Sequence, residues 1–310
     1  MASILDAPQF CDETAAYAWV EARVWPEGPI CPHCGSVERI SKMQGKSTRI
    51  GVYKCYACRK PFTVKVGTVF EASHIPLRIW LQAMFLLSSS KKGISSNQLH
   101  RTLGVTLKSA WFLSHRIREA MRTVGFTPMG GEGKIVEADE TYFGRQTDPK
   151  PGKQRKGSPY TKRKKPFDKL SVVALVERGG EVRMFHVETA DKDTVSRIVT
   201  ANVRKESTLH TDESRLYTGA GDHFVAHSTV KHSAGEYVRD EVHTNTVEGV
   251  FSIFKRGMQG IYQHCDEKHL HRYLAEYDFR YNNRVAVGVH DMARTEQLVK
   301  GVVGKRLTYR

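Results

Sequence analysis

Cys31-Pro-His-Cys34 and Cys55-Tyr-Ala-Cys58 form two Cys-x-x-Cys pairs with twenty residues between them, while Cys11 and Cys265 stand apart. Two thiolate pairs at this spacing suit one tetrahedral ion, and they predict a zinc ribbon holding one structural Zn²⁺. Disulfides are the poorer reading, because no export signal precedes them. Cys11 and Cys265 read as ordinary thiols, and His33 as a surface residue within its knuckle. A second group consists of carboxylates. Asp139 and Asp212 each close an apolar run, and Glu248 follows Asp212 after thirty-five intervening residues. Carboxylates at the ends of adjacent strands, completed by one from a covering helix, supply hard oxygen ligands. Two Mg²⁺ or Mn²⁺ ions about 3.5–4 Å apart need such ligands to clamp an in-line phosphoryl transfer. Lys255 lies seven residues beyond Glu248, on the same side of a helix, where a cation can hold a phosphate.

Each acid also has a plain structural reading. Asp139 fits a turn, with Glu140 beside it as the alternative ligand. Asp212 opens Asp-Glu-Ser and fits a helix cap. Asn245-Thr246-Val247-Glu248 fits a capping box, with Asn245 as N-cap and Glu248 reaching back.

The elements that must carry these residues are legible as patterns. Ala15 to Val24 reads as a helix leading into the ribbon. Strand-like alternation then runs from Arg49 to Val69, with Ile50, Val52 and Tyr53 before the second knuckle and Phe62, Val64 and Val66 after it. Pro76 suits the first turn of a buried helix from Leu77 to Leu87. Next, Ser95 or Ser96 caps a helix through Leu103, Gly104 turns, and Thr106 caps a second helix carrying Trp111, Phe112, His115, Ile117 and Ala120. This pair resembles helix-turn-helix, with Lys108, Ser109, His115, Arg116 and Arg118 expected outward; an ordinary helical hairpin is the alternative. After Met129-Gly130-Gly131, strands are expected at Lys134–Asp139, Leu170–Val176 and Val182–Val187. The last two are joined by Arg178-Gly179-Gly180-Glu181, a hairpin signal. A helix at Asp193–Val203, strands at Thr208–Asp212 and Val225–Val230, and a long helix from Val247 complete an α/β mixed sheet covered by helices.

The 48 Lys and Arg exceed the 33 Asp and Glu by 15, and 40% of residues are hydrophobic. That balance excludes wholesale disorder and favours a polyanionic partner. Ile79 to Leu87 is the longest apolar stretch, broken by Gln82 and short of the roughly 18 residues a membrane span needs. A soluble, cytoplasmic, nucleoid-associated protein is therefore expected. The charge is concentrated: Lys150 to Pro166 carries eight basic residues and no acid. Within it, Lys153, Arg155, Lys156, Lys162, Arg163, Lys164 and Lys165 are expected to hold nucleic-acid backbone.

Several segments together carry a family resemblance: CPHCG, YKCYACRKPFTVKVGTVFEASHIPL, VEADETYFG, HTDESRLY and HTNTVEGVFSIFKRGMQGIYQHCDEKHLHRYLAEYDFRYNNR. Between about residues 18 and 290 the chain resembles bacterial insertion-sequence DDE transposases of the subgroup with an N-terminal zinc ribbon. The resemblance implies an RNase H-like catalytic core with Asp139 and Asp212 as its two aspartates and Glu248 as third acid. Asn245, one turn earlier on the same face, is kept as a neighbouring ligand or phosphate contact. It further implies binding of an element's terminal inverted repeats, strand cleavage, and joining of 3′-hydroxyls to double-stranded target DNA. At least a dimer is expected on DNA. Tyr142, Tyr262 and Tyr273 are then packing or DNA-contact residues, not nucleophiles. The domains expected are 1–75 for the N-terminal helix and ribbon, 76–128 for the helix-turn-helix-like region, 129–295 for the catalytic core, and 296–310 as a tail. Two other classes compete: a DNA-binding regulator without catalysis, and an RNase H-like nuclease that cuts but never joins.

Overall fold

The computed structural model describes residues 3–125, 127–145, 169–236 and 238–308. The chain divides into two compact units, Met1–Arg122 with Asn283–Arg310, and Thr123–Asn282.

The first unit begins with α1 (Pro8–Cys11) and α2 (Glu13–Val24). Asp12 starts α2 by accepting from the Ala15 N–H at 2.7 Å. Three short antiparallel strands follow, β1 (Ile40–Lys42), β2 (Tyr53–Cys55) and β3 (Pro61–Phe62). Strand pairing stops at Phe62, so the alternation expected through Val66 is carried by turns, with Val64 buried. α3 (Leu77–Ser89) is buried nearly all round, as its almost unbroken apolar run requires. α4 (Ser96–Leu103) and α5 (Leu107–Met121) form the expected pair. Ser95 and Thr106 accept from the Gln98 and Ser109 N–H groups, and Gly104 adopts the left-handed φ of 65° that ends α4.

The second unit is a five-stranded mixed sheet of order β6-β5-β4-β7-β8. Its strands are β4 (Ile135–Phe143), β5 (Leu170–Glu177), β6 (Val182–Val187), β7 (Thr208–Asp212) and β8 (Ala226–Val230). β4, β5 and β6 pair antiparallel, and β7 and β8 run parallel to β4. Both sheet faces are covered, which explains why β5 reads as a continuous apolar run. One face packs α6 (Lys192–Asn202) through Val195 and Val199 against Val136, Ala138, Val173 and Leu175. A two-stranded hairpin, β9 (Val238–Arg239) and β10 (Val242–His243), precedes α7 (Asn245–Gly257). α7 and α8 (Glu267–Asn282) close the other face. Val247, Val250, Phe251 and Phe254 give α7 its buried stripe, and they meet Leu170, Val172, Ala174 and Val176 of β5 in one cluster.

The chain then returns to the first unit. α9 (Asp291–Lys300) is tied to α3: Arg294 Nη1 donates to Ser88 O at 2.9 Å, and the Ser88 and Thr295 hydroxyls meet at 3.1 Å. Thr68 bridges Val303, and the Gly304 N–H donates to Gly67 O. Residues 296–310 were expected as a tail and the catalytic core as extending to 295. Instead, the described residues from 283 onward are built into the first unit.

The same return corrects the expected orientation of α5. His115, Arg116 and Arg118 are buried, not outward. Arg116 donates to Leu307 O, Val69 O and Glu71 O, at 3.0, 2.7 and 2.6 Å, and Arg118 donates to Ser114 Oγ at 3.1 Å. A second covered face on α5 draws these side chains in. Neither arginine is available to DNA in this fold. Lys108, in the first turn, is exposed as expected.

Candidate metal centres and acidic site

The ribbon gathers its four sulfurs as the spacing requires. One ligand atom from each of Cys31, Cys34, Cys55 and Cys58 lies within 4.8 Å of the others. The Cys31–Cys58 and Cys34–Cys55 sulfurs are 3.7 Å apart. Four thiolates at about 2.3 Å from a tetrahedral zinc have edges of about 3.8 Å, so the cage fits that ion. Each knuckle is followed by a residue of positive φ, Gly35 at 73° and Arg59 at 63°. At the first knuckle, the Gly35 N–H folds back onto Cys31 O at 2.9 Å. Trp25, Tyr53 and Phe62 pack around the buried sulfurs with ring centroids 5.6–5.8 Å apart. The Ser36 N–H favours the Cys34 thiolate, but desolvation and the neighbouring sulfurs outweigh it and push this thiol up to about 12. N–H groups of Cys58 and Ala57 bring Cys55 down to about 7 against its desolvation. Cys34 and Cys55 are thus shifted in opposite directions; a bound ion would favour the thiolate form of its ligands.

In the second unit, ligand atoms of Asp139, Glu140 and Asp212 also lie within 4.8 Å of one another. β4 and β7 pair from Ile135↔Thr208 to Glu137↔His210. Asp139 and Asp212 stand two residues beyond that last pair, so both point from the same pleat where the strands part. Asp139 is not at a strand end as expected; β4 continues against β5 to Phe143, and only its pairing with β7 stops. Asp212 does end β7, and its Oδ1 accepts from the Ser214 N–H at 3.0 Å. Glu140 belongs to the opposite pleat, and the buried Tyr217 hydroxyl donates to its Oε2 at 3.0 Å.

Burial, then Glu140, then Asp212 push the Asp139 carboxyl up to about 8, the Glu140 N–H opposes this, and Glu248 adds to it. Burial and Asp212 raise Glu140, against the Tyr217 hydroxyl. Three carboxyl groups crowded together, with Asp139 and Glu140 both raised, are a donor set for divalent cations, and hard oxygens suit Mg²⁺ or Mn²⁺.

Glu248 sits in the first turn of α7, outside the set of three but close enough to act on Asp139. Asn245 is exposed one turn earlier and Lys255 half-exposed two turns later. The capping box weighed as the alternative reading of Asn245 and Glu248 does not form. Thr244, not Asn245, is the N-cap and makes no side-chain cap bond; its hydroxyl meets Glu248 Oε1 at 3.3 Å. The cap is supplied by Glu137 of β4, which accepts from the Thr246 and Val247 N–H groups at 2.9 and 3.0 Å. Glu137 is not among the site residues expected from the sequence. The signal was present: a charged residue inside Val-Glu-Ala-Asp, on the same pleat as Asp139. The basic residues Lys153, Arg155, Lys156, Lys162, Arg163, Lys164 and Lys165 lie outside the described residues.

Sheet order, acidic cluster and thiolate cage together describe a mixed α/β sheet that gathers carboxylates, in a chain with a four-cysteine ribbon, and comparison with known proteins supplies the family. Residues 130–282 match the family model described as ISXO2-like transposase domain, and residues 11–61 match the transposase zinc-ribbon domain. An uncharacterized protein in transposable element ISH50 of Halobacterium salinarum is 32% identical over 241 residues, covering 75% of this chain and 78% of that protein. The chain belongs to the IS1595-type DDE transposases with an N-terminal zinc ribbon. Two solved structures also align. One, a simian T-cell lymphotropic virus intasome with PP2A regulatory subunit B56 gamma, has TM-score 0.30 and 14% identity, covering 58% of this chain and 63% of that chain. The other, a Mos1 strand transfer complex, has TM-score 0.24 and 14% identity, covering 67% and 76%. Superpositions this loose add nothing to the assignment. Among the described residues no helix is long and apolar enough to cross a membrane.

Proposed function

We propose that this chain is an active transposase that binds the ends of its element, cuts a DNA strand there and joins the freed 3′-hydroxyl to target DNA. The observation that carries this reading is the convergence of Asp139, Glu140 and Asp212 within 4.8 Å, in a chain of a transposase family. Asp139 and Asp212 hold two divalent ions, with Glu248 closing the site from α7 and Glu140 as the adjoining ligand. When bound, such ions activate a water or 3′-hydroxyl and stabilise the leaving oxygen. Lys255 holds a neighbouring phosphate, and Asn245 stands beside Glu248 as a further ligand or phosphate contact. No side-chain nucleophile is needed. Tyr262 and Tyr273 pack on each other at 4.8 Å, and Tyr262 donates to Glu276, which suits packing roles.

The ribbon, holding one Zn²⁺, and the α4–α5 pair read the element ends, with Lys108 among the contacts. The basic segment 150–166 grips backbone without regard to sequence. Two ends must be processed together, so the working form on DNA is at least a dimer.

Asp139→Asn and Asp212→Asn separate this reading from a non-catalytic regulator. Each should abolish Mg²⁺-dependent cleavage of an end substrate while its affinity in a gel-shift assay stays at the parent level. Cleavage retained by both variants would remove the assignment. Pre-cleaved ends that are never joined would leave a nuclease. Comparing Glu140→Gln, Glu248→Gln and Asn245→Ala in the same assay ranks the third ligand.

A further inference from the structure

Glu137 is fully buried, with its side chain wholly shielded from solvent. It is nonetheless saturated with donors. Besides the two α7 N–H groups, Thr246 Oγ1 donates to Oε1 at 2.8 Å, Arg178 Nε donates to the same oxygen at 2.6 Å, and His243 Nδ1 lies 3.3 Å away. Arg178 extends the network: its Nη1 donates to Glu241 O at 2.8 Å, its Nη2 donates to His243 O at 2.9 Å, and Nη2 also lies 3.1 Å from His210 Nδ1. One carboxylate thus ties β4 to the residue after β5, to the β10 turn and to the start of α7.

A helix normally takes its cap from its own N-cap side chain. α7 takes it from a strand residue more than a hundred positions earlier in the chain. The consequence is a fixed register between helix and sheet. Glu137 and Asp139 point from the same pleat, about 7 Å apart along the strand. Glu248 is the residue directly after the anchored Val247, and α7 is regular from there. A buried ion pair confers little stability over a well-packed apolar pair, and its best-attested use is to fix one arrangement among several.

Resting on the active-transposase reading above, we propose that Glu137 is a positioning residue. It pins the first turn of α7 to β4 and so sets the reach of Glu248 toward Asp139 and Asp212. It touches neither substrate nor ion. Its neutral analogue keeps the shape but not the function: in Glu137→Gln an amide N–H₂ faces Arg178 or Thr246, and one of the anchoring contacts must break.

The test is Mn²⁺ binding by the full chain, read by electron paramagnetic resonance on folded protein verified by circular dichroism. Glu137→Gln is expected to weaken Mn²⁺ binding about tenfold or more, the usual cost of losing a group that orients a ligand. Thr246→Val removes one donor from a half-buried position and is expected to shift affinity the same way by less. Both effects are expected to vanish in a Glu248→Gln background, since the residue acted through is already lost. Unchanged Mn²⁺ affinity in folded Glu137→Gln, or an undiminished shift beside Glu248→Gln, overturns the proposal. If Glu137→Gln does not fold, the Thr246→Val and Glu248→Gln cycle decides by the same criteria. A parent chain that binds Mn²⁺ but cuts no DNA would sink the strand-cleavage reading and leave the positioning result standing.

Discussion

Arg116 gives the sharpest contrast between a DNA contact and a structural strut. Its residue surface is 3% exposed, and its guanidinium serves three main-chain carbonyls, Leu307, Val69 and Glu71, while lying 4.3 Å from the Phe112 ring centroid. Arg116→Met keeps much of the stem but leaves three carbonyls without a donor. Each orphaned group costs about 1–3 kcal/mol, and because the three share one cation the costs overlap. A total of about 3–5 kcal/mol follows, in the range expected when a buried network is broken. For a unit of this size that corresponds to a fall in Tm of roughly 6–20 °C. Arg116→Lys should rescue little, since an ammonium on a flexible stem cannot replace a planar fork across three acceptors. The assay is thermal unfolding followed by circular dichroism, paired with DNA binding measured across a salt series. A phosphate contact would behave oppositely, with stability unchanged and the salt slope reduced by about one. An Arg116→Met variant that melts with the parent but binds DNA less tightly would refute the strut.

Metal removal and pH supply two further predictions. The purified chain should release one Zn²⁺ on denaturation. Chelation or Cys55→Ser should change Trp25 fluorescence, because Trp25 packs on Tyr53 and Phe62 beside the sulfurs; an unaltered spectrum after metal loss would show that the aromatic cluster holds the ribbon alone. The Asp139 carboxyl, raised from 3.8 to about 8, favours the protonated form in the folded state. Its stabilising contribution in metal-free protein is complete below the unfolded value and is lost as pH rises through about 8. The increment in Tm given by Mg²⁺ should therefore grow between about pH 6 and 8, as the competing proton leaves. Asp139→Asn should flatten that slope, and an equal slope in the variant would locate the titration elsewhere.

Local chemistry made much of this legible. The caps at Ser95 and Thr106, the left-handed Gly104, the two knuckles and the Arg178–Glu181 hairpin are all written in short stretches of chain. Asp139 and Asp212 were readable because each ends an apolar run, although β4 continues past Asp139 to Phe143. What failed depends on partners distant in sequence. Arg116 and Arg118 look like the polar face of an amphipathic helix, and nothing in α5 reveals that residues near 307 return to cover it. Asn245 looked like a cap because the capping box is a local pattern; the cap came instead from β4. Glu137 was hidden between Val136 and Ala138, and its meaning lies at Arg178, Thr246 and Val247.

The discontinuity of the first unit bears on the order in which the chain can be assembled during synthesis. α3 leaves the ribosome early, yet α9, which rests on it, is separated from Arg122 by the whole of Thr123–Asn282. At translation speeds of about 5–20 residues per second, the surface of α3 reserved for α9 stays open for roughly 10–40 s. The sheet that carries the acids has no such wait, since all its strands and covering helices lie within one continuous stretch. The stretch Thr123–Asn282 is thus free to fold first, and the first unit is closed only after that whole stretch has been made.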